Sequence, residues 1–269
     1  MQEPILKMMN NEPRRLWWRL LPAFLFAALM AWSGTALGGS ESNPNGLAVA
    51  GQIIAGIFQP DLKLLFDFSS QGVPFLLLET FCIAFLGTIV GAFFSLPLAF
   101  LSASNLLPAF ITRLVRLLIM AIRTIPAFVY GLMFIRVTGP GAFAGLMTMS
   151  LVSVGMIAKL FSESIEELDS GILESLDAAG CTSFQKIRYG IWPQLSPLFI
   201  STLLYRFDMN LRDASILGLV GAGGIGAPLI FAMSAYRWHE VGAILAGLVV
   251  LILVIEAISG RIRTKLLKG

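Results

Sequence analysis

The chain is 269 residues long, 57% hydrophobic and only 13% charged, with a net charge of +3 and a mean hydropathy of +0.82. Soluble domains carry about a quarter charged residues, so this composition excludes a globule covered by water and points to a multi-spanning membrane protein. Two cysteines, Cys82 in an apolar run and Cys181 in a polar one, make no disulfide framework. His239 is the only histidine, and no C-x-x-C, H-E-x-x-H or Walker A pattern occurs. Metal clusters, histidine triads and nucleotide hydrolysis by this chain therefore lack residues.

About 20 apolar residues are needed to cross the hydrocarbon core as a helix. Leu16–Leu37 meets that length and follows Arg14 and Arg15. It has the form of a signal peptide with "TALGGS" as a cleavage-like stretch. Its long apolar run and the spans that follow favour a retained signal anchor. Residues 38–72 are mixed, and "LAVAGQIIAGIF" within them predicts a short surface-lying helix. The chain thus divides into an N-terminal part, 1–72, and a core, 73–269.

In the core the spans are Val73–Leu101, Pro108–Val137 with Arg123 and Pro126 inside it, Ala142–Phe161, a charge-bearing fifth segment over 193–219, and Glu240–Ser259. If six helices alternate, Lys7, Arg14, Arg15, Arg19, Arg113, Arg116, Lys186, Arg188, Arg261, Arg263, Lys265 and Lys268 share one side. Lys63, Arg136 and Arg237 fall on the other. By the positive-inside rule both termini are cytoplasmic. The predicted fold class is all-α, a polytopic membrane protein of about six helices. Gly87, Gly91, Gly131, Gly242 and Gly247 could supply the close helix contacts that such bundles use.

Between the fourth and fifth spans, residues 162–192 read "SESIEELDSGILESLDAAGCTSFQKIRYGIW". Ile165, Leu168, Ile172, Leu173 and Leu176 recur at helical spacing among acidic residues, which predicts an amphipathic helix outside the bilayer. Gly180 breaks it, and Thr182 with Gln185 has the form of a capping box that opens a second short helix. So long an ordered segment is unusual as a mere connection.

Glu174-Ser175-Leu176, then Gly180, then Pro193, resembles the E-A-A-x-x-x-G…P loop of the permeases of ATP-binding-cassette importers. Ser175 and Leu176 stand where two alanines are usual, and Gly190 and Trp192 where isoleucine and leucine are usual. "LLETFCIAFLGTIVGAFFSLPLAFLSASN" (77–105), "RTIPAFVYGLMF" (123–134), "YGIWPQLSP" (189–197) and "YRFDMNLRDASILGLVGAGGIG" (205–226) resemble the phosphonate/phosphite branch of that family over about residues 70–260. The resemblance implies a type I importer permease of the bacterial inner membrane, a non-catalytic subunit acting as a homodimer. Its implied partners are a cytoplasmic ATPase dimer, which would bind the ATP and Mg, and a periplasmic substrate-binding protein. Glu174, Ser175, Leu176, Asp177, Gly180 and Pro193 then form the segment that couples to the ATPase.

In the fifth segment Arg206, Asp208, Arg212 and Asp213 interrupt an apolar run, and each would cost about 2.5–3.5 kcal/mol at the centre of a span. They must pair, face water or lie near an interface. At 100° per residue Arg206, Asn210 and Asp213 share one face, Asp208, Arg212 and Ser215 the opposite one. Asp208 and Arg212 have the spacing of a helical ion pair. Two readings stand: ion-paired stripes that lock helices together, or arginines that pass an anion, with Arg212 nearer the path and Arg206 structural. Arg123 poses the same choice between reaching for the inner interface and lining an inner gate. Glu79 and Glu256 are expected at interfaces.

Gly221, Gly223 and Gly226 spell G-x-G-x-x-G, the phosphate turn of dinucleotide-binding folds. No acid stands about 20 residues on and no βαβ pattern surrounds it. The expectation is instead a re-entrant bend of Gly221, Gly223, Gly224 and Gly226 at an outer gate, with N–H groups that could meet an anion. An importer for a phosphorus oxyanion is thus the leading expectation. A permease for another small substrate or an ion-driven transporter are the alternatives, and an intramembrane enzyme lacks paired catalytic residues.

Overall fold

The structure is a computed structural model that describes residues 16–37 and 46–268; all regular elements among them are helical. Lys7, Arg14, Arg15 and residues 38–40 of the cleavage-like stretch lie outside the described residues. The described residues up to Gly51 belong to one unit, in which α1 (Leu16–Leu37) is a regular apolar helix. The second unit, Gln52–Gly269, holds everything else from the end of α2 (Gly46–Phe58) onward.

That unit begins with a short helix, α3 (Leu62–Leu65), capped by the Asp61 carboxylate on the Lys63 N–H at 2.9 Å. Then follow α4 (Val73–Ser102), α5 (Ala109–Thr124), α6 (Ala127–Thr138) and α7 (Ala142–Glu166). Among the described residues three helices are long and apolar enough to cross a membrane, namely α4, α7 and the last one, α12 (Trp238–Lys268); the pair α5/α6 would make a fourth if counted as one span.

The expected continuous span over 108–137 is broken. The α5 and α6 axes meet at 84°. Ile125 is extended (φ −88°, ψ 124°), because the ring of Pro126 clashes with a helical residue before it. A proline in mid-span could have left a kink; here the chain turns instead. The Tyr130 hydroxyl donates across the corner to the Ile122 carbonyl at 3.1 Å, satisfying one acceptor that the break exposes.

Helices α4 and α7 run parallel and make the most extensive contact of the molecule. Glycines allow it: a methyl group at Gly91 would lie 2.5 Å from the Ser153 Cβ, and one at Gly87 would strike Met149. Gly131, Gly242 and Gly247 also sit at close contacts, against Leu217, Gly56 and Val73. Antiparallel to both α4 and α7 runs α10 (Trp192–Gly218), which lies between them and α12. Its charges and prolines keep it out of the apolar set despite its 27 residues.

Three apolar clusters stack along this bundle. One end is built on Ala99, Phe161, Ile191 and Phe199, with the Phe161 and Phe199 rings stacked at 4.1 Å. The middle is built on Ile83, Met149, Phe207 and Leu211, and the other end on Val73, Ile225, Val241 and Ile244.

The fourth span is longer than Ala142–Phe161, since α7 continues to Glu166. Consequently Leu168 and Asp169 lie in the turn after it and not in the predicted amphipathic helix. Asp169 caps α8 (Ser170–Ala178) by accepting from the Gly171 N–H at 2.9 Å. The capping box forms as predicted: Thr182 Oγ1 accepts from the Gln185 N–H at 3.4 Å and Gln185 Oε1 from the Thr182 N–H at 2.8 Å. It opens α9 (Ser183–Gln185), which widens into a π-helical turn over Lys186–Ile191 before α10. After the glycine loop come α11 (Gly226–Ser234) and α12, which passes well beyond the predicted end at Ser259.

Candidate functional site

Helix α10 carries the charges, and its two faces meet different neighbours. On one face Asn210, fully buried, donates through Nδ2 to Thr88 Oγ1 of α4 at 2.8 Å and to Ser153 Oγ of α7 at 2.7 Å. Thr88 passes its own proton to the Ala84 carbonyl at 2.7 Å. Arg206, 3% exposed, donates Nε to Ser153 Oγ at 3.2 Å and Nη1 to Met156 Sδ at 3.2 Å. Asp213 stands 3.9 Å from Arg206 Nη2. Arg206 Nη2 and Asn210 Oδ1 are buried without a hydrogen-bond partner among the described residues. Such atoms cost about 1–3 kcal/mol each.

The opposite face is tied to α12. Asp208 accepts from the Ser259 hydroxyl at 2.7 Å and pairs with Arg263 at 3.3 Å, while Arg212 pairs with Glu256 at 2.8 Å. The predicted Asp208–Arg212 pair does not form, because each finds its partner on α12. Glu256, expected at an interface, is one of those partners. Ser215, on the same face, bonds back to the Leu211 carbonyl of its own helix at 3.2 Å. The division of faces is therefore as the helical period requires, but the ion pairing is between helices.

The glycine loop is packed inward. Gly221, Gly223 and Gly224 have φ of 92°, 79° and 71°, a region that residues with a Cβ rarely adopt. The Ile225 N–H donates to Thr80 Oγ1 at 2.9 Å, the Ala222 N–H to the Leu217 carbonyl at 3.2 Å and the Gly221 N–H to the Gly218 carbonyl at 3.0 Å. The Gly221 carbonyl accepts from the Gly141 N–H at 2.9 Å. Gly226 lies against Ser215 and Gly218 at the start of α11. The N–H groups of Gly221, Ala222 and Ile225 are thus spent within the fold, while those of Gly223 and Gly224 meet no acceptor among the described residues.

At the other end of the bundle, α8 presents Glu174, Ser175 and Asp177 outward. Leu173 turns inward and joins the cluster formed by α4, α7 and α10. Leu176 lies over Gly190: a methyl group there would come within 2.6 Å of Leu176 Cδ1. The large residue in the alanine position is thus matched by a glycine in the isoleucine position. Gly180, with φ 74° and open space around it, makes the turn. Lys186 pairs with Asp177, closing α8 onto the following turn. Pro193 stands in the first turn of α10, where its missing N–H costs least.

Near this end, sequence reasoning missed a hub. Glu166 accepts from the N–H and the hydroxyl of Ser104, each at 2.6 Å, and pairs with Arg116. Arg116 also donates Nε to the Ser102 carbonyl at 2.9 Å. Between α5 and α7, Ser102, Arg116 and Glu166 border a cavity of about 230 Å³ that Arg123 also lines. Thr88, Ser153, Ser259 and Arg263 were missed as well. Thr88 and Ser153 are each one of several hydroxyls in their span, and nothing local to Ser259 or Arg263 names Asp208 as their partner.

Residues 95–267 match the family described as the binding-protein-dependent transport system inner membrane component. The chain is 33% identical over 251 residues to the phosphite transport system permease protein PtxC of Stutzerimonas stutzeri, covering 92% of this chain and 90% of that one. It is 34% identical over 219 residues to the putative phosphite transport system permease protein HtxC of the same organism, 81% and 76% covered. Among solved structures it resembles a chain of the MetNI methionine ABC transporter in an inward-facing conformation, with a TM-score of 0.62, 22% identity, and 71% and 94% covered. An amino acid ABC transporter also matches, with a TM-score of 0.59, 20% identity, and 84% and 99% covered. The helices, their order and the family match agree, and the chain belongs to the family of binding-protein-dependent transport system inner membrane components.

Proposed function

We propose that the chain is the permease subunit of an ATP-driven importer for a phosphorus oxyanion, phosphite or phosphonate, in the bacterial inner membrane. It works as a homodimer, with an ATPase dimer at the α8 end and a substrate-binding protein at the glycine-loop end. The observation that carries the substrate class is the similarity to a phosphite permease over nine-tenths of both chains. ATP and Mg are held by the partner, since this chain has no phosphate loop.

The packing supports a route for the motion. Leu173 of α8 shares one cluster with Ala99 of α4, Ile157 and Phe161 of α7, and Leu195 and Phe199 of α10. A close-packed cluster transmits displacement and does not absorb it. When the ATPases close and carry α8 with them, α7 and α10 move together and the opening switches sides. Reconstituted with its ATPase and binding protein, the importer should accumulate phosphite in vesicles only with hydrolysable ATP. Uptake driven by an ion gradient with the ATPase inactivated would support a secondary transporter instead.

Arg206 and Arg212 divide the two roles in this reading. Arg206 is built into the α4–α7–α10 network, and Arg212, about half exposed, is the one nearer the path. Arg206→Ala should lower the yield of folded permease, because it empties a buried site and removes the cation beside Asp213. Arg212→Ala should leave yield within about 1 kcal/mol of stability, the range of an exposed pair, and slow phosphite uptake. Normal uptake by Arg212→Ala with loss of uptake by a well-folded Arg206→Ala reverses the assignment.

A further inference from the structure

The cavity between α5 and α7 lies at the α8 end, away from the charges of α10. Arg116 and Lys159 on its wall are each held by a carboxylate, Glu166 and Glu163, the second at 3.2 Å. Arg123 lines the same cavity and has no carboxylate within ion-pair distance among the described residues. Its place is built. Gly155 of α7 leaves room for the Arg123 stem, since a methyl group there would lie 2.8 Å from its Cγ. The break at Pro126 ends α5 just after Arg123, so this residue lies in the last turn of the helix, where a cation is favoured.

We infer that this cavity is a weak exit site for the phosphorus oxyanion, with Arg123 as its fixed cation and Lys159 as a second one that leaves Glu163 when the anion arrives. The inference rests on the oxyanion reading proposed above. Guanidinium suits the ligand because its planar fork donates two parallel bonds to a tetrahedral oxyanion. On the same measure a single water needs about 10–15 Å³, so 230 Å³ admits such an anion together with waters. Lipid phosphate offers the same chemistry, but Glu163 and Glu166 on the same wall oppose an anionic headgroup anchored beside them. They also keep binding weak, as release requires.

Met120 lines the cavity and is exposed, which supplies a reporter. Met120→Cys is introduced with Cys82→Ser and Cys181→Ser, and the permease–ATPase complex is placed in nanodiscs. Maleimide labelling is followed against inorganic phosphate or phosphite at constant ionic strength set with NaCl. Labelling should slow at least threefold, with half-protection at millimolar anion. Arg123→Gln should abolish protection, and Glu163→Gln, which frees Lys159, should lower the half-protecting concentration severalfold. A purely structural Arg123 predicts no effect of Glu163→Gln on protection. Undiminished protection in Arg123→Gln, equal protection by chloride, or protection that follows anionic lipid and ignores added phosphate overturns the site. The assay reads binding alone, so no protection in the protein that keeps Arg123, with phosphite uptake intact, removes the exit site only, while absent uptake removes the oxyanion reading.

Discussion

Gly190→Ile should reduce phosphite uptake by more than tenfold, and Leu176→Ala in the same chain should restore most of it. The isoleucine branch would enter the space that Leu176 Cδ1 fills, where even a methyl group lies at 2.6 Å. Overpacking of this kind costs about 1–3 kcal/mol. Here that cost is met by tilting α8 away from Ile191 and Leu195, which displaces the surface bearing Glu174 and Ser175 that is proposed to dock on the ATPase. Shortening Leu176 removes the collision. A coupling energy of about 1–2 kcal/mol between the two substitutions, within the range for touching residues, is the signature to measure, through ATPase binding and through uptake. Leu176→Ala alone should cost less than Gly190→Ile alone. Additive effects of the two would show that they do not share a contact.

Gly223→Ala should prevent stable folding or abolish ATP-driven uptake. A left-handed residue with a Cβ is disfavoured by about 1–2 kcal/mol. In addition, the new methyl group would lie 2.6 Å from the N and Cα of Ala142. Those are backbone atoms at the start of α7, so no rotamer change relieves the contact. Gly224→Ala meets Thr80 Oγ1 at 2.6 Å instead, and a side chain can turn aside at the expense of its bond from Ile225. Thermal unfolding of the purified complex should therefore rank Gly223→Ala below Gly224→Ala, and both below the parent. The reverse order would mean that the loop does not bear on α7.

Much of the architecture was legible because it follows from local rules. Apolar runs of about 20 residues, Thr182 with Gln185, and Gly180 are read from the chain without knowing its neighbours. The E-A-A-like stretch was read from the residues themselves, and its departures at Leu176 and Gly190 were visible as two separate oddities. Only the packing makes them one feature, since they are 14 positions apart and meet through the turn between α8 and α10.

The charges of α10 divide in the same way. That Arg206, Asn210 and Asp213 share a face, and Asp208, Arg212 and Ser215 the other, is a consequence of the helical period. Which partners they take is not. Asp208 and Arg212 had the right spacing to pair with each other, and the nearer carboxylate and cation on α12 prevailed.

By itself the sequence determined the solvent this protein lives in, the order of its core helices, and the amphipathic stretch with its capped turn between the fourth and fifth of the predicted spans. These depend on residue type and spacing along one segment. Only the tertiary structure decided that the span at Pro126 turns through 84°, that the G-x-G-x-x-G is packed against Thr80 and Gly141, and that Arg123 alone among the cations of its cavity lacks a carboxylate. Those outcomes depend on which distant residue comes within about 3 Å, and that distance is set by the closeness of helices that glycines such as Gly87 and Gly91 permit.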